Sequence, residues 1–225
     1  MVNVRDEKLC QYLLSFGFLS SEQIHKLLFK NVKKRTMLRR LRNLKKKKVI
    51  DRFESSKGGI ILWTLTSKQV SKMGSDFVMK NINRSTLDHD LSVNDLRIHF
   101  ELKGLGSSWR SSHYLRFKAS AGRRPQERLP ETIPDWLVTL KGRVFAIEVE
   151  LNFKGIKRME RVLSLYAEKK SIQHLWYFVP SEQMKTQFIK LAQRYALTRG
   201  KSWIKVSLLS EIDRAVEVLT AMPTV

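Results

Sequence analysis

The 225-residue chain carries 43 Lys/Arg against 21 Asp/Glu, a formal charge of +22, and 42% of its residues are hydrophobic. That hydrophobic share builds real cores and excludes a disordered polycation, while the charge excess points to a polyanionic partner, nucleic acid before a membrane surface. A single cysteine, Cys10, excludes an internal disulfide and any cysteine-based zinc site. No apolar run approaches the roughly 18 residues of a membrane span, so the expectation is a soluble protein of the reducing bacterial cytoplasm.

The charge is concentrated early, with 19 Lys/Arg and 6 Asp/Glu in residues 1–80. Asp6 to Phe16 places Leu9, Leu13 and Phe16 at helical spacing, with Cys10 as an inert buried neighbour. Ser20 and Gln23 form a capping-box pattern that opens a second helix with Ile24, Leu27 and Leu28 on its apolar face. A third helix, Lys33 to Lys47, turns Met37, Leu38, Leu41 and Leu44 inward. From Lys30 to Lys48 there are eleven basic residues and no acidic one. A merely solvated helix face mixes signs for i,i+4 pairing; this one does not. The β-rich runs Val49–Glu54 and Ile60–Thr66 flank Ser55-Ser56-Lys57-Gly58-Gly59, which reads as a hairpin turn.

Three helices followed by a two-stranded wing resemble the winged variant of the helix-turn-helix, which lays its third helix in the major groove. The resemblance implies contacts to double-stranded DNA from Lys33, Lys34, Arg35, Arg39, Arg40, Arg42 and Lys57, most of them to phosphate. Which of them reach bases stays open.

Beyond this segment the spacing predicts a helix over Ser67–Met79, a polar link, and a largely buried helix over Thr86–Leu102. A strand at Tyr114–Phe117 and an Arg/Gly/Pro-rich loop over Ala119–Pro130 follow. Strands Pro134–Leu140 and Arg143–Leu151, helix Ile156–Lys170, strand Leu175–Val179, helix Glu182–Leu197 and strand Trp203–Leu208 complete the reading. The fold class is α+β or α/β with a mixed central sheet, divided into residues 1–82 and 83–225.

If Lys141-Gly142 is a two-residue turn, Leu140 faces Arg143, and the register carries on to set Asp135 opposite Glu148. Glu150, two residues further, points to the same side as Glu148, while Phe145, Ile147, Val149 and Leu151 cover the other face. Three carboxylates on one strand face repel one another unless a cation sits among them. That cation is either Mg²⁺ or Mn²⁺, for which oxygen ligands are suited, or a neighbouring Lys or Arg. On a DNA-binding chain the first option points to metal-assisted phosphodiester cleavage. The five histidines include no His-x-His pair, and no phosphate-binding loop of the Gly-Lys-Ser/Thr type is present.

Pro134-Asp135 followed by Glu148-Val149-Glu150 resembles the PD-(D/E)xK motif of restriction-endonuclease-like nucleases, with Glu150 standing where lysine is usual. A winged helix, then His89-Asp90-Leu91, then these acids, resembles the replication-relaxation family, which includes the MOB-C class of plasmid mobilisation relaxases. The resemblance covers roughly residues 6–180. It implies a metal-dependent nickase acting on plasmid or mobile-element DNA at a transfer origin, alongside accessory mobilisation or transposition proteins. Asp135, Glu148 and Glu150 would be its catalytic metal ligands, with Glu101 or Asp95 as a further acid. Lys154 or Lys157 would replace the motif lysine. A tyrosine nucleophile would be Tyr12, Tyr114 or Tyr166. The alternatives are a non-enzymatic winged-helix regulator on a degenerate nuclease fold, and a transposon-end endonuclease.

Overall fold

Helix α1 (Val4–Phe16) starts at a reciprocal capping box, in which Asn3 Oδ1 accepts the Asp6 N–H at 2.9 Å and Asp6 Oδ2 accepts the Asn3 N–H at 3.1 Å. The short strand β1 (Leu19–Ser20) leads into α2 (Ser21–Leu28), which is capped as the sequence implies. Ser20 Oγ accepts the Gln23 N–H at 3.1 Å, and Gln23 Oε1 accepts the Ser20 N–H at 3.0 Å. The turn to α3 (Lys34–Lys46) is closed by His25, whose Nε2 lies 2.8 Å from the Val32 carbonyl oxygen. Strands β2 (Ile50–Glu54) and β3 (Ile61–Leu65) pair antiparallel, and β3 is the middle strand of the order β1-β3-β2. This is the winged-helix arrangement.

The computed structural model describes residues 3–55, 59–79, 81–121, 130, 132–199 and 203–221. Lys57 and most of the expected Ala119–Pro130 loop lie outside the described residues. Helix α4 covers only Ser67–Lys72, capped by the Thr66 hydroxyl, and the chain turns at Gly74 with φ of 72°. The expected extension to Met79 is not helical, because glycine in the left-handed region ends the helix.

Helix α5 runs over Leu87–Leu102. Its first three turns belong with the winged helix. Gln23 Nε2 donates to the Leu91 carbonyl and Asn94 Nδ2 to the Phe18 carbonyl, both at 2.9 Å. Arg97, 4% exposed, lays its guanidinium 3.9 Å from the centre of the Phe16 ring. The two compact units are Met1–Ile98 and His99–Val225.

The second unit is a five-stranded mixed sheet of order β4-β5-β6-β7-β8. Edge strand β4 (Ser107–Ser111) is followed by α6 (Ser112–Ser120), so Tyr114–Phe117 is helical and not the expected strand. The reason is local: Ser111 Oγ accepts the Tyr114 N–H at 3.2 Å and caps a helix there. Strands β5 (Trp136–Leu140) and β6 (Arg143–Val149) form an antiparallel hairpin. Helix α7 (Ile156–Glu168), strand β7 (His174–Val179), helix α8 (Glu182–Arg199), strand β8 (Ile204–Leu208) and helix α9 (Ile212–Ala221) complete the unit. Strands β6, β7 and β8 are parallel. The molecule is mixed α+β.

Both faces of this sheet are covered. On one, Ala146, Leu175, Tyr177 and Val179 pack against Met159, Leu163 and Tyr166 of α7 and Phe188 of α8. On the other, Phe100 meets Trp176 and Phe178 edge-on, and Trp109 meets Trp136. Open positions on the carboxylate face are therefore confined to the strand ends. Among the described residues no helix is long and apolar enough to cross a membrane.

Candidate nucleic-acid interface and carboxylate site

Helix α3 buries Met37, Leu41 and Leu44 and leaves Lys33, Lys34, Arg35, Arg39 and Arg42 exposed. Its N-terminus has no side-chain cap, and its first turn holds cations and no acid. Unsatisfied N–H groups and positive side chains thus coincide at one helix end, an arrangement that favours an anion. Lys34 makes an exposed ion pair with Glu22.

Arg40 departs from the expected set. Its Nε donates to Asp6 Oδ1 at 2.9 Å, a second guanidinium nitrogen bonds the other carboxylate oxygen, and Asp6 is 1% exposed. A buried carboxylate requires a charged partner, so Arg40 ties α3 to α1 instead of standing free on the surface. Burial pushes the Asp6 carboxyl up, but its bonds to Arg40 and the Asn3 N–H, with the Arg40 and Lys47 charges, hold it below the ordinary aspartate value.

In the second unit the hairpin register is the expected one, with Leu140 opposite Arg143 and Trp136 opposite Ile147. The turn residues Lys141 and Gly142 have φ of 49° and 78°, the signature of a type I′ connection. Continuing this register, Asp135 falls beside the end of β6, where its Oδ2 accepts the Val149 N–H at 2.8 Å. Asp135 and Glu150 are buried, at 9% and 8% exposure, and Glu148 is half-buried.

Each acid already holds a donor from the chain. Tyr166 of α7, fully buried, donates its hydroxyl to Glu148 Oε1. Lys154 places its ammonium 2.8 Å from Glu150 Oε1 and 3.0 Å from Oε2. Lys169 donates to the Thr132 carbonyl and lies 5.3 Å from the Tyr166 ring centre. Its pKa is lowered, burial outweighing the opposing pull of Glu148. Tyr177, set beside Glu148 by the parallel register, is 2% exposed and its hydroxyl has no partner among the described residues. Burial, followed by the carboxylate charges, pushes the Tyr166 and Tyr177 phenols well above their ordinary value, so both stay protonated.

Magnesium demands oxygen ligands converging at about 2.0–2.1 Å. Among the described residues no group of three or more His, Cys, Asp or Glu side chains is gathered to hold a metal. Asp135, Glu148, Glu150 and the half-buried Glu101 are not gathered into such a group. His89 lies 3.3 Å from Asp90, Tyr12 and Tyr114 are half-buried on α1 and α6, and Lys157 is exposed in the first turn of α7. Asp95 lies on α5. Tyr177 and Lys169 are absent from the sequence motifs. The alternation of β7 carried the signal for Tyr177, whereas nothing local carried one for Lys169.

Fold and surface together define a two-unit α+β protein, a winged helix in the first unit and a mixed sheet ending in carboxylates in the second. The chain belongs to the replication-relaxation family, whose model matches residues 11–174. No curated protein matches it. Among solved structures it is similar to protein VC1899 from Vibrio cholerae, at 10% identity and a TM-score of 0.39. That match covers 87% of this chain and 45% of the other.

Proposed function

We propose that this protein docks on double-stranded plasmid or mobile-element DNA in the bacterial cytoplasm, with α3 as the docking helix. The observation that carries this reading is the exposed, acid-free face of Lys33, Arg35, Arg39 and Arg42 beside an uncapped helix end. Phosphate contacts of this kind release counterions, so affinity falls with salt with a log–log slope of about −0.9 per contact. Fluorescence anisotropy of a labelled duplex across a salt series tests it. Changing Arg39 and Arg42 together to Ala should weaken binding and flatten the slope by about 2. A slope unmoved by both changes sinks α3 as the docking element.

A second reading, nicking of that DNA with Mg²⁺ or Mn²⁺, is favoured by the placement of Asp135 beside the end of β6, next to Glu148 and Glu150. It requires a divalent cation to compete with Lys154 for Glu150 and with Tyr166 for Glu148. Nicking of supercoiled plasmid in Mg²⁺, Mn²⁺ and EDTA, with Glu148→Ala as control, separates the two. Binding without cleavage in either metal leaves a non-enzymatic regulator.

A further inference from the structure

A second surface of the first unit lies at the base of the wing. Phe53 of β2 is paired with Leu62 of β3, so the two side chains share one face of the small sheet. Leu62 is buried in a cluster with Phe18 and Leu87, yet Phe53 remains 39% exposed. Among the described residues it is the one exposed large hydrophobic side chain that is aromatic. Between Phe53 and the chain leading into α5 opens a cleft of about 190 Å³. Leu62 and Leu87 line its depth, Ile82 flanks it, and Asn81 and Arg84 stand on its exposed rim.

The rim is held in shape by Asn83. Its Oδ1 accepts the Ser85 N–H at 3.0 Å and the Ser85 hydroxyl at 2.9 Å, while its carbonyl accepts the Thr86 N–H at 3.3 Å. Arg84 therefore sits at the tip of a fixed turn. Glu54, the acid on the opposite rim, is tied to Arg52 at 2.7 Å.

We propose that this cleft binds one unpaired nucleotide, its base against the Phe53 ring above Leu62 and Leu87, its edge toward the Asn81 amide and its phosphate toward Arg84. The inference rests on the reading of this unit as DNA-binding. A planar apolar group is called for because a cavity of roughly 150 Å³ suffices for a benzene ring, and this one is slightly larger. An anionic appendage is called for by Arg84 and by the excess of 19 Lys/Arg over 6 Asp/Glu in residues 1–80. Aromatic faces beside guanidinium groups are the usual means of holding splayed-out bases. An apolar partner helix would need a longer stripe of hydrophobic contacts than one ring and the few aliphatic side chains below it.

The test compares the full-length chain on a blunt random-sequence duplex and on the same duplex with a single-stranded tail carrying one 2-aminopurine. The tail should raise affinity roughly tenfold at fixed salt, and 2-aminopurine fluorescence should be quenched on binding. Phe53→Ala should abolish the tail preference and the quenching while leaving blunt-duplex affinity unchanged, and Phe53→Trp should restore both. The circular dichroism of Phe53→Ala should match that of the wild type, because the ring is partly exposed. A tail preference and quenching that survive Phe53→Ala, or equal wild-type affinity for both probes, overturns the proposal. So does a change in sedimentation of Phe53→Ala with the tail preference intact, which would mean that a second copy covers the cleft. Loss of blunt-duplex binding by the wild type, with Phe53-dependent quenching retained, removes the docking reading and supports the nucleotide site.

Discussion

Lys154 brackets both carboxylate oxygens of Glu150, at 2.8 and 3.0 Å, and so supplies from within the chain the positive charge that a crowd of acids requires. Glu150 is 8% exposed, whereas the Lys154 side chain is 42% exposed, so part of the attraction is screened by water. Lys154→Met should cost about 1–2 kcal/mol of stability, because a mostly buried carboxylate loses its partner. Mn²⁺ should then raise the melting temperature of Lys154→Met more than that of the wild type, as a free Glu150 seeks a cation. Thermal scans of both proteins with Mn²⁺ and with EDTA check this; equal shifts would show that Lys154 does not compete with a metal.

Arg39 and Arg40 are neighbours with opposite consequences. Arg39 is exposed, so Arg39→Ala should leave stability within about 0.5 kcal/mol and act on DNA affinity alone. Arg40→Ala strands the buried Asp6 charge and should cost about 2–4 kcal/mol in urea unfolding. The sign of the pH dependence follows from Asp6, whose folded pKa is depressed. Its contribution is fully present above the unfolded value near 3.9 and is lost as pH falls through the folded value. The stability gap between wild type and Arg40→Ala should therefore narrow below about pH 4. A gap that widens on acidification would contradict the ion pair.

Local chemistry carried furthest in the sequence. The Ser20/Gln23 capping box and the β5–β6 register were legible because each is set by residues close in the chain. The edge strand β4 was not, since Ser-Ser-Trp-Arg-Ser shows no apolar alternation and an edge strand needs little. Helix α9 was passed over although Ile212, Ala215, Val216 and Leu219 are buried at helical spacing. Long-range partners left no trace at all: Asp6 lies 34 residues from Arg40, and nothing near either residue announces the other. The same limit hid the place of the first turns of α5 in the winged-helix unit, which depends on Gln23 and Asn94 reaching distant carbonyls.

Tyr166 and Tyr177 separate a satisfied hydroxyl from an orphaned one in the same buried neighbourhood. Tyr166→Phe removes the donor to Glu148 and should destabilise by about 1–2 kcal/mol, since a charged acceptor is left short of a bond. Tyr177→Phe removes a buried hydroxyl without a partner among the described residues and should be neutral or stabilising by up to about 1 kcal/mol. Urea denaturation of the two variants beside wild type distinguishes them, and a loss at Tyr177 equal to that at Tyr166 would mean that its hydroxyl is engaged after all.

The carboxylate placement depends on the turn at the far end of the hairpin. Lys141 is forced to a φ of 49°, in the left-handed region, and is followed by Gly142 at 78°. Lysine has no local hydrogen bond to offset that conformation, whereas asparagine tolerates it and leads the Asn-Gly pairs that favour type I′ turns. Lys141→Asn should therefore stabilise the second unit by about 0.5–1 kcal/mol and leave the register unchanged. One residue inserted between Gly142 and Arg143 should do the reverse. It would slip the pairing by one and turn Glu148 away from Asp135, and every core side chain of β6 would be driven to the wrong face. Hydrogen exchange at the Val149 amide, which bonds the Asp135 carboxylate at 2.8 Å, reads both effects: protection should rise in Lys141→Asn and vanish in the insertion variant.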